Sequence, residues 1–209
     1  VAKAFTEIET ARPALNYATL IGHNTVRREA MGTANRQATP DELRKMESLV
    51  EKAMRDGAVG FSTGLQYVPG TYADTAEIVA LAKVAAANRG LYATHMRNEG
   101  TELEKAVAES IYIAESARLP LEISHLKVDA PSRWGSSAKA LEMMDAARAR
   151  GVGVNADQYV YDAASSNLGI RFPSWALEGG QARINERLQD EATWQKIRAE
   201  MRELIRERG

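Results

Sequence analysis

The 209-residue chain contains no cysteine, so neither a disulfide framework nor a zinc site of paired cysteines can be built within it. It also lacks charge of one sign. Its 27 Lys and Arg stand against 28 Asp and Glu, a formal net charge of −1, which gives no reason to expect nucleic acid or an anionic membrane as partner. No apolar run approaches a membrane span and no signal peptide is visible at the start, so a cytoplasmic location is the default expectation. Neither GxGxxG nor GxxxxGK[ST] follows any candidate strand, which removes the usual dinucleotide and P-loop readings. What remains is an ordinary globular composition, 44% hydrophobic and 26% charged. The chain begins at Val1, without an initiator Met, and moves straight into a helix-like segment.

Four central helices are announced by their first residues. Thr39-Pro40-Asp41-Glu42 has the form of a capping box with Pro at the first helical position. Leu43, Met46, Leu49, Val50 and Ala53 then recur at helical spacing up to Gly57. Asp74 with Glu77, Thr101 with Glu104, and Ser137 open three more, the last with Leu141, Met144 and Ala147 predicted inward. Between the helices lie short apolar runs at 18–22, 58–62, 91–94, 121–124 and 152–156, which read as buried parallel strands. From the second onward they recur roughly every 30 residues, the period of a βα unit. The fold class expected is α/β, a partial (β/α)8 TIM-type barrel of about five central units. Residues 159–180 read as a loop, followed from about Asp190 by an amphipathic helix with Trp194, Ile197, Met201, Leu204 and Ile205 on one face.

The chain has three histidines, His23, His95 and His125, each at or just after the end of a predicted strand. In a parallel barrel those positions converge on one rim, where active sites are built. Imidazole is a good zinc ligand, and neighbouring strand ends can bring two rings to one ion. His95 and His125 supply two ligands, whereas a catalytic zinc wants about three from the protein. His23 stays open between a site residue and a hydrogen-bonding anchor for its loop. Arg97 and Glu99 read as an exposed charge pair after the strand.

Several motifs then line up in order. They are Gly60-Phe-Ser-Thr-Gly-Leu-Gln-Tyr67-Val-Pro-Gly70, Thr94-His95-Met-Arg97-Asn-Glu99-Gly100, Ile123-Ser-His125-Leu-Lys127 and Asn155-Ala-Asp-Gln-Tyr159-Val-Tyr161. Together with Gly22-His23-Asn-Thr-Val-Arg27 and the stretch from Pro173-Ser-Trp175 to Glu178-Gly-Gly180, they resemble the D-aminoacylase (N-acyl-D-amino-acid deacylase) family of metal-dependent amidohydrolases. The resemblance covers nearly the whole chain. It implies that His95 and His125 close the fifth and sixth barrel strands and bind zinc. In that family a cysteine from an early strand is the third ligand, a His-x-His pair on the first strand serves a second metal, and an Asp on the last strand is the general base. None of these is present, so the resemblance implies strands three to seven of eight, with residues 157–209 a loop and helical insertion after the seventh. The remainder of a parent chain is then an expected partner, and these residues alone are expected to be inactive and poorly self-sufficient.

The same resemblance implies the substrate side. Lys127, Tyr159 and Ser165 would hold the carboxylate of an N-acyl-D-amino acid, and Tyr67 would help stabilise the oxyanion. Arg171 would contact an acidic side chain. The implied reaction is zinc-dependent amide hydrolysis by activated water, releasing a D-amino acid and a carboxylic acid. A rival amidohydrolase acting on cyclic amides or dipeptides commonly uses a carboxylated lysine at the end of the fourth strand, but here that strand ends Gly60-Phe61-Ser62-Thr63. A non-catalytic α/β binding module with structural histidines is the rival from another class.

Overall fold

A computed structural model describes residues 1–208, with side chains through 206. Its centre is a run of βα units. Helix α1 (Ala2–Ala11) precedes strand β1 (Leu20–Gly22), which passes directly into α2 (His23–Met31). Then follow α3 (Pro40–Arg55), β2 (Gly60–Gly64), α4 (Thr75–Ala87), β3 (Leu91–His95), α5 (Leu103–Ala117), β4 (Leu121–Ile123), α6 (Ser137–Ala149) and β5 (Val154–Ala156). Helices α7 (Gly180–Gln189) and α8 (Glu191–Arg208) close the chain. No described helix is long and apolar enough to cross a membrane.

All five strands are parallel, in the unbroken order β1-β2-β3-β4-β5. That order decides between the two common parallel architectures. A doubly wound sheet reverses direction once to place helices on both faces. Right-handed crossovers that always step the same way leave every helix on one face, as in a barrel wall. Helices α3 to α6 accordingly pack as sequential neighbours along one side of the sheet. Strand alternation sends Phe61, Thr63, Tyr92, Thr94, Leu121, Ile123 and Val154 into that buried layer. Ser62, His95 and Glu122 alternate onto the other, more open face.

Local signals explain most of the element boundaries. The capping box at Thr39 is complete: its side chain accepts from the Glu42 N–H, and the Glu42 carboxylate accepts from the Thr39 N–H at 2.8 Å. At Asp74 only half of the expected pattern forms. The Asp74 carboxylate caps the Glu77 N–H at 2.8 Å, but the Glu77 side chain is drawn away into a buried cluster. Neither Thr101 nor Ser137 is a cap. Helix α5 starts from Glu102 and α6 from Ser136, both without a side-chain cap bond, because flanking turns deliver the chain already wound.

Elsewhere the structure adds two helices that sequence reasoning did not assign and corrects two burial expectations. Residues 23–31 form a helix, one whose polar residues His23 and Arg27 point inward and so hide its period. Residues 159–179 carry no α-helix or strand, as expected of a loop, and Gly180 opens α7, a helix none of whose residues is buried. Leu141 and Ile205, predicted inward, are about half exposed. Among the described side chains of α8, Ile197 is buried.

Candidate active site

Register places the three strand ends side by side. Gly64 pairs with His95, and Thr94 pairs with Ile123, two residues before His125. His95 therefore ends its strand next to the turn that carries His125. Asp157, just past β5, grips that turn: its Oδ1 accepts from the His125 N–H at 2.6 Å and its carbonyl from the Leu126 N–H at 2.9 Å. His125 itself has φ +42°, a left-handed conformation that costs energy in a side-chain-bearing residue and recurs at functional sites. The result is that His95 Nδ1 lies 3.0 Å from His125 Nε2.

Two nitrogens about 2.0–2.1 Å from one tetrahedral zinc would stand about 3.3–3.4 Å apart, so the ring separation needs only a small opening. The partners of the other nitrogens decide whether lone pairs can face such an ion. His95 Nε2 lies 3.2 Å from Gln66 Oε1, an acceptor, so that nitrogen carries the proton and Nδ1 presents its lone pair. Burial, then the neighbouring His125 and Lys127, push the His95 pKa down to about 4, which keeps the ring neutral near pH 7. His125 Nδ1 sits between two groups, 3.2 Å from Lys127 Nζ and 3.0 Å from Glu99 Oε1. If Lys127 donates to it, a relay of hydrogen bonds runs from Lys127 through His125 and His95 to Gln66. If a cation takes the His125 Nε2 lone pair, the ring proton must move to Nδ1, where Glu99 Oε1 is the waiting acceptor. That oxygen is buried and has no well-aligned hydrogen bond among the described residues. The donor set thus fits a metal, and His95, Glu99 and His125 offer ligand atoms all within 4.8 Å of one another.

The histidines open into a cavity of about 800 Å³. Tyr67, Lys127, Tyr159, Ser165 and Arg171 all line it. The Tyr67 ring lies 4.9 Å from that of His95, and its hydroxyl is 3.1 Å from Ser166 Oγ. Lys127 Nζ stands 2.5 Å from Glu99 Oε2 and 5.8 Å from the centre of the Tyr159 ring. The Arg171 Nη1 is buried without a hydrogen-bond partner among the described residues.

His23 is elsewhere. It is fully buried, with Nε2 2.7 Å from Glu77 Oε1 and its ring edge-on to Phe61. Arg27, also fully buried, donates to the other Glu77 oxygen and to the Arg36 carbonyl. Burial alone would raise the Glu77 carboxyl, but hydrogen bonds from His23 and Arg27 outweigh it and hold the pKa below the ordinary value. Because α2 begins at His23, the first helical residue turns under the rim, and the anchor reading describes its geometry.

Arg97 and Glu99 are not a pair. Arg97 reaches Glu109 on α5 at 2.9 Å and the carbonyls of Thr71 and Ala73. Glu99 is 1% exposed and turns to the cavity. Burial raises its pKa, Lys127 and His125 pull it down, Asp129 adds to the rise, and the net shift is upward. Glu99, Gln66 and Asp157 are the site residues that sequence reasoning missed. The one available signal was Glu99 standing four residues after His95 and directly before Gly100. A Cβ on that glycine would lie 2.5 Å from Asp129 Oδ1, so the loop is built for close approach.

Known proteins resemble this chain in sequence and in fold. No family model matches the chain. It is 42% identical over 168 residues to an N-acyl-D-glutamate deacylase of Alcaligenes xylosoxydans xylosoxydans, covering 80% of this chain and 34% of that one. It is 40% identical over 155 residues to a D-aminoacylase of the same organism, 74% and 32% of the two chains. In three dimensions it resembles the N-acyl-D-glutamate deacylase of Bordetella bronchiseptica, a structure complexed with zinc and a phosphonate mimic of the tetrahedral intermediate. The TM-score there is 0.74 at 40% identity, over 77% of this chain and 34% of that one. A D-aminoacylase structure described as defining a novel subset of amidohydrolases gives 0.73 at 36% identity, with the same coverage. The chain thus spans about a third of the length of these relatives. In sequence and in fold it belongs to the D-aminoacylase family of amidohydrolases.

Proposed function

We propose that this chain supplies the central wall, strands three to seven, of an eight-stranded barrel whose complete protein hydrolyses N-acyl-D-amino acids with zinc. The observation that carries the reading is the meeting of His95 Nδ1 and His125 Nε2 at 3.0 Å on the floor of a cavity lined by Lys127, Tyr67 and Tyr159. His95 and His125 would hold the zinc. When bound, it supplies Lewis acidity toward the scissile carbonyl and toward water. The chain's own residues then bind and orient. Lys127 has three N–H donors; Glu99 takes one and the His125 carbonyl lies 3.4 Å away, so the donor released when His125 Nδ1 carries the ring proton would serve the substrate carboxylate alongside the Tyr159 and Ser165 hydroxyls. The Tyr67 ring lies beside that of His95, and its hydroxyl would donate to a developing oxyanion.

An acidic D-amino acid is the preferred substrate in this reading. Arg171 offers to the same cavity a buried Nη1 that has no partner among the described residues, and a side-chain carboxylate would satisfy it. The relatives named as deacylases of N-acyl-D-glutamate and N-acyl-D-aspartate support that choice. The test is zinc content and hydrolysis of N-acetyl-D-glutamate, measured on the complete protein and on its His95→Ala and His125→Ala variants. Zinc-dependent release of D-glutamate, abolished in both variants with loss of bound zinc, is expected. Full activity or full zinc content in either variant would refute the site.

A further inference from the structure

Glu99 is a buried carboxylate of the cavity wall, whereas Asp129 and Asp162, which also line it, are more exposed. Glu99 is 1% exposed, on the loop after β3, and its two oxygens face two different elements of the site. Oε2 holds Lys127 at 2.5 Å, and Oε1 stands 3.0 Å from His125 Nδ1 without a well-aligned hydrogen bond. Its main chain is fixed as well: the Glu99 carbonyl accepts from the Asp129 N–H at 2.8 Å, tying the loop after β3 to the loop after β4.

We propose that Glu99 is a positioning residue that serves both halves of the site at once, selecting the metal-binding tautomer of His125 and aiming Lys127. The inference rests on the zinc-deacylase reading. A carboxylate has two acceptor oxygens and no donor, so it can take a proton from His125 Nδ1 and from Lys127 together. With Nδ1 protonated, the His125 Nε2 lone pair is free toward His95. An acceptor of this kind behind a ligating imidazole fixes ring orientation and raises ligand basicity, and its loss typically weakens metal binding 10–100-fold. The unmet Oε1 is what that tautomer requires.

Glutamine separates this role from mere packing. Gln has one acceptor and one NH2, and the Lys127 ammonium claims the acceptor. The NH2 then faces His125 Nδ1, makes that nitrogen the acceptor, and leaves the proton on Nε2, where the metal would bind. Glu99→Gln should therefore lower zinc affinity about 10–100-fold, read by competition with a chromophoric chelator in the absence of substrate. Lys127→Met alone should leave zinc affinity within about threefold while KM rises. The double variant Glu99→Gln/Lys127→Met frees the amide carbonyl for His125 and should recover most of the lost affinity. Native affinity in Glu99→Gln would overturn the proposal. So would a double variant no better than the single, because a packing role is not rescued by removing the lysine. If Glu99→Gln does not fold, a zinc loss in Lys127→Met is the refuting result, and retained affinity supports the role. Failure of the underlying reading looks different: His125→Ala would then keep its zinc.

Discussion

Replacing Arg171 by Met tests the acidic-substrate reading at one position. Arg171 ends a short 3-10 turn, Leu168–Arg171, whose side chain lines the cavity with Nη1 buried and unpartnered. A substrate carboxylate about 4 Å from the guanidinium would gain roughly 4 kcal/mol of Coulomb energy at an effective dielectric near 20. Desolvating both groups consumes part of this, and a net of about 1.5–3 kcal/mol is usual for a hydrogen bond to a charged partner. That converts to roughly a 10- to 150-fold fall in kcat/KM for N-acetyl-D-glutamate. Met keeps the apolar stem, so packing against the turn survives and stability should move by less than about 0.5 kcal/mol. The assay compares steady-state kinetics on N-acetyl-D-glutamate and a neutral N-acetyl-D-amino acid, on wild type and variant of the complete protein. The acidic substrate should lose its advantage while the neutral one changes little. An equal fall on both substrates would refute the reasoning, because Arg171 would then shape the cavity wall rather than recognise a charge.

Two further predictions concern the scaffold. Glu77→Gln leaves Arg27 buried without a full counter-charge and should cost about 3–5 kcal/mol in urea unfolding, whereas adding Arg27→Met should return part of that loss. Because the folded Glu77 pKa lies below its ordinary value of 4.5, the stabilisation is complete above that pH and fades as pH falls through the folded value. The wild-type advantage over Glu77→Gln should therefore shrink only in acid, and a gap that shrinks instead toward alkaline pH would contradict the assignment. Gly60→Ala would bring a Cβ to 2.4 Å from the Leu91 carbonyl on the neighbouring strand, and should cost at least about 1–3 kcal/mol in the same unfolding assay. An unchanged midpoint would mean that β2 and β3 are not in the close register described.

Much of the frame was legible because it is periodic. The βα repeat gave all five strands to within two residues or so, and with them the rim on which His95 and His125 lie. Caps were legible where the side chain had nothing better to do, as at Thr39. They were misleading where a turn or a tertiary partner took over, as at Ser137 and at Glu77. Polar residues buried in a helix cancel its apolar stripe, which is why α2 was invisible and why His23 looked like a rim residue. Glu99 was misread for a related reason. Spacing in sequence made Arg97 its natural partner, but the loop after His95 turns the two side chains apart, one to α5 and one to the cavity.

The two buried glutamates show what distinguishes an anchor from a working group in this chain. Glu77 is surrounded by enough donors to occupy both oxygens, His23 on one and Arg27 on the other, and its pKa falls in spite of burial. Nothing further can be asked of it without breaking a contact. Glu99 is no more exposed, yet one oxygen lacks a well-aligned donor and its pKa rises. An unmet buried polar atom costs on the order of 1–3 kcal/mol, which a bound partner can recover. Such atoms occur in the anchor cluster too, at His23 Nδ1 and Arg27 Nε, while Gln66 Nε2, Glu99 Oε1 and Arg171 Nη1 belong to residues that line the cavity holding His95 and His125. The Glu77 carboxylate closes its hydrogen bonds within the protein. In the proposed site, Glu99 Oε1, Gln66 Nε2 and Arg171 Nη1 would be completed by what binds there, and their position beside one pair of imidazoles is what the Glu99 and Arg171 substitutions test.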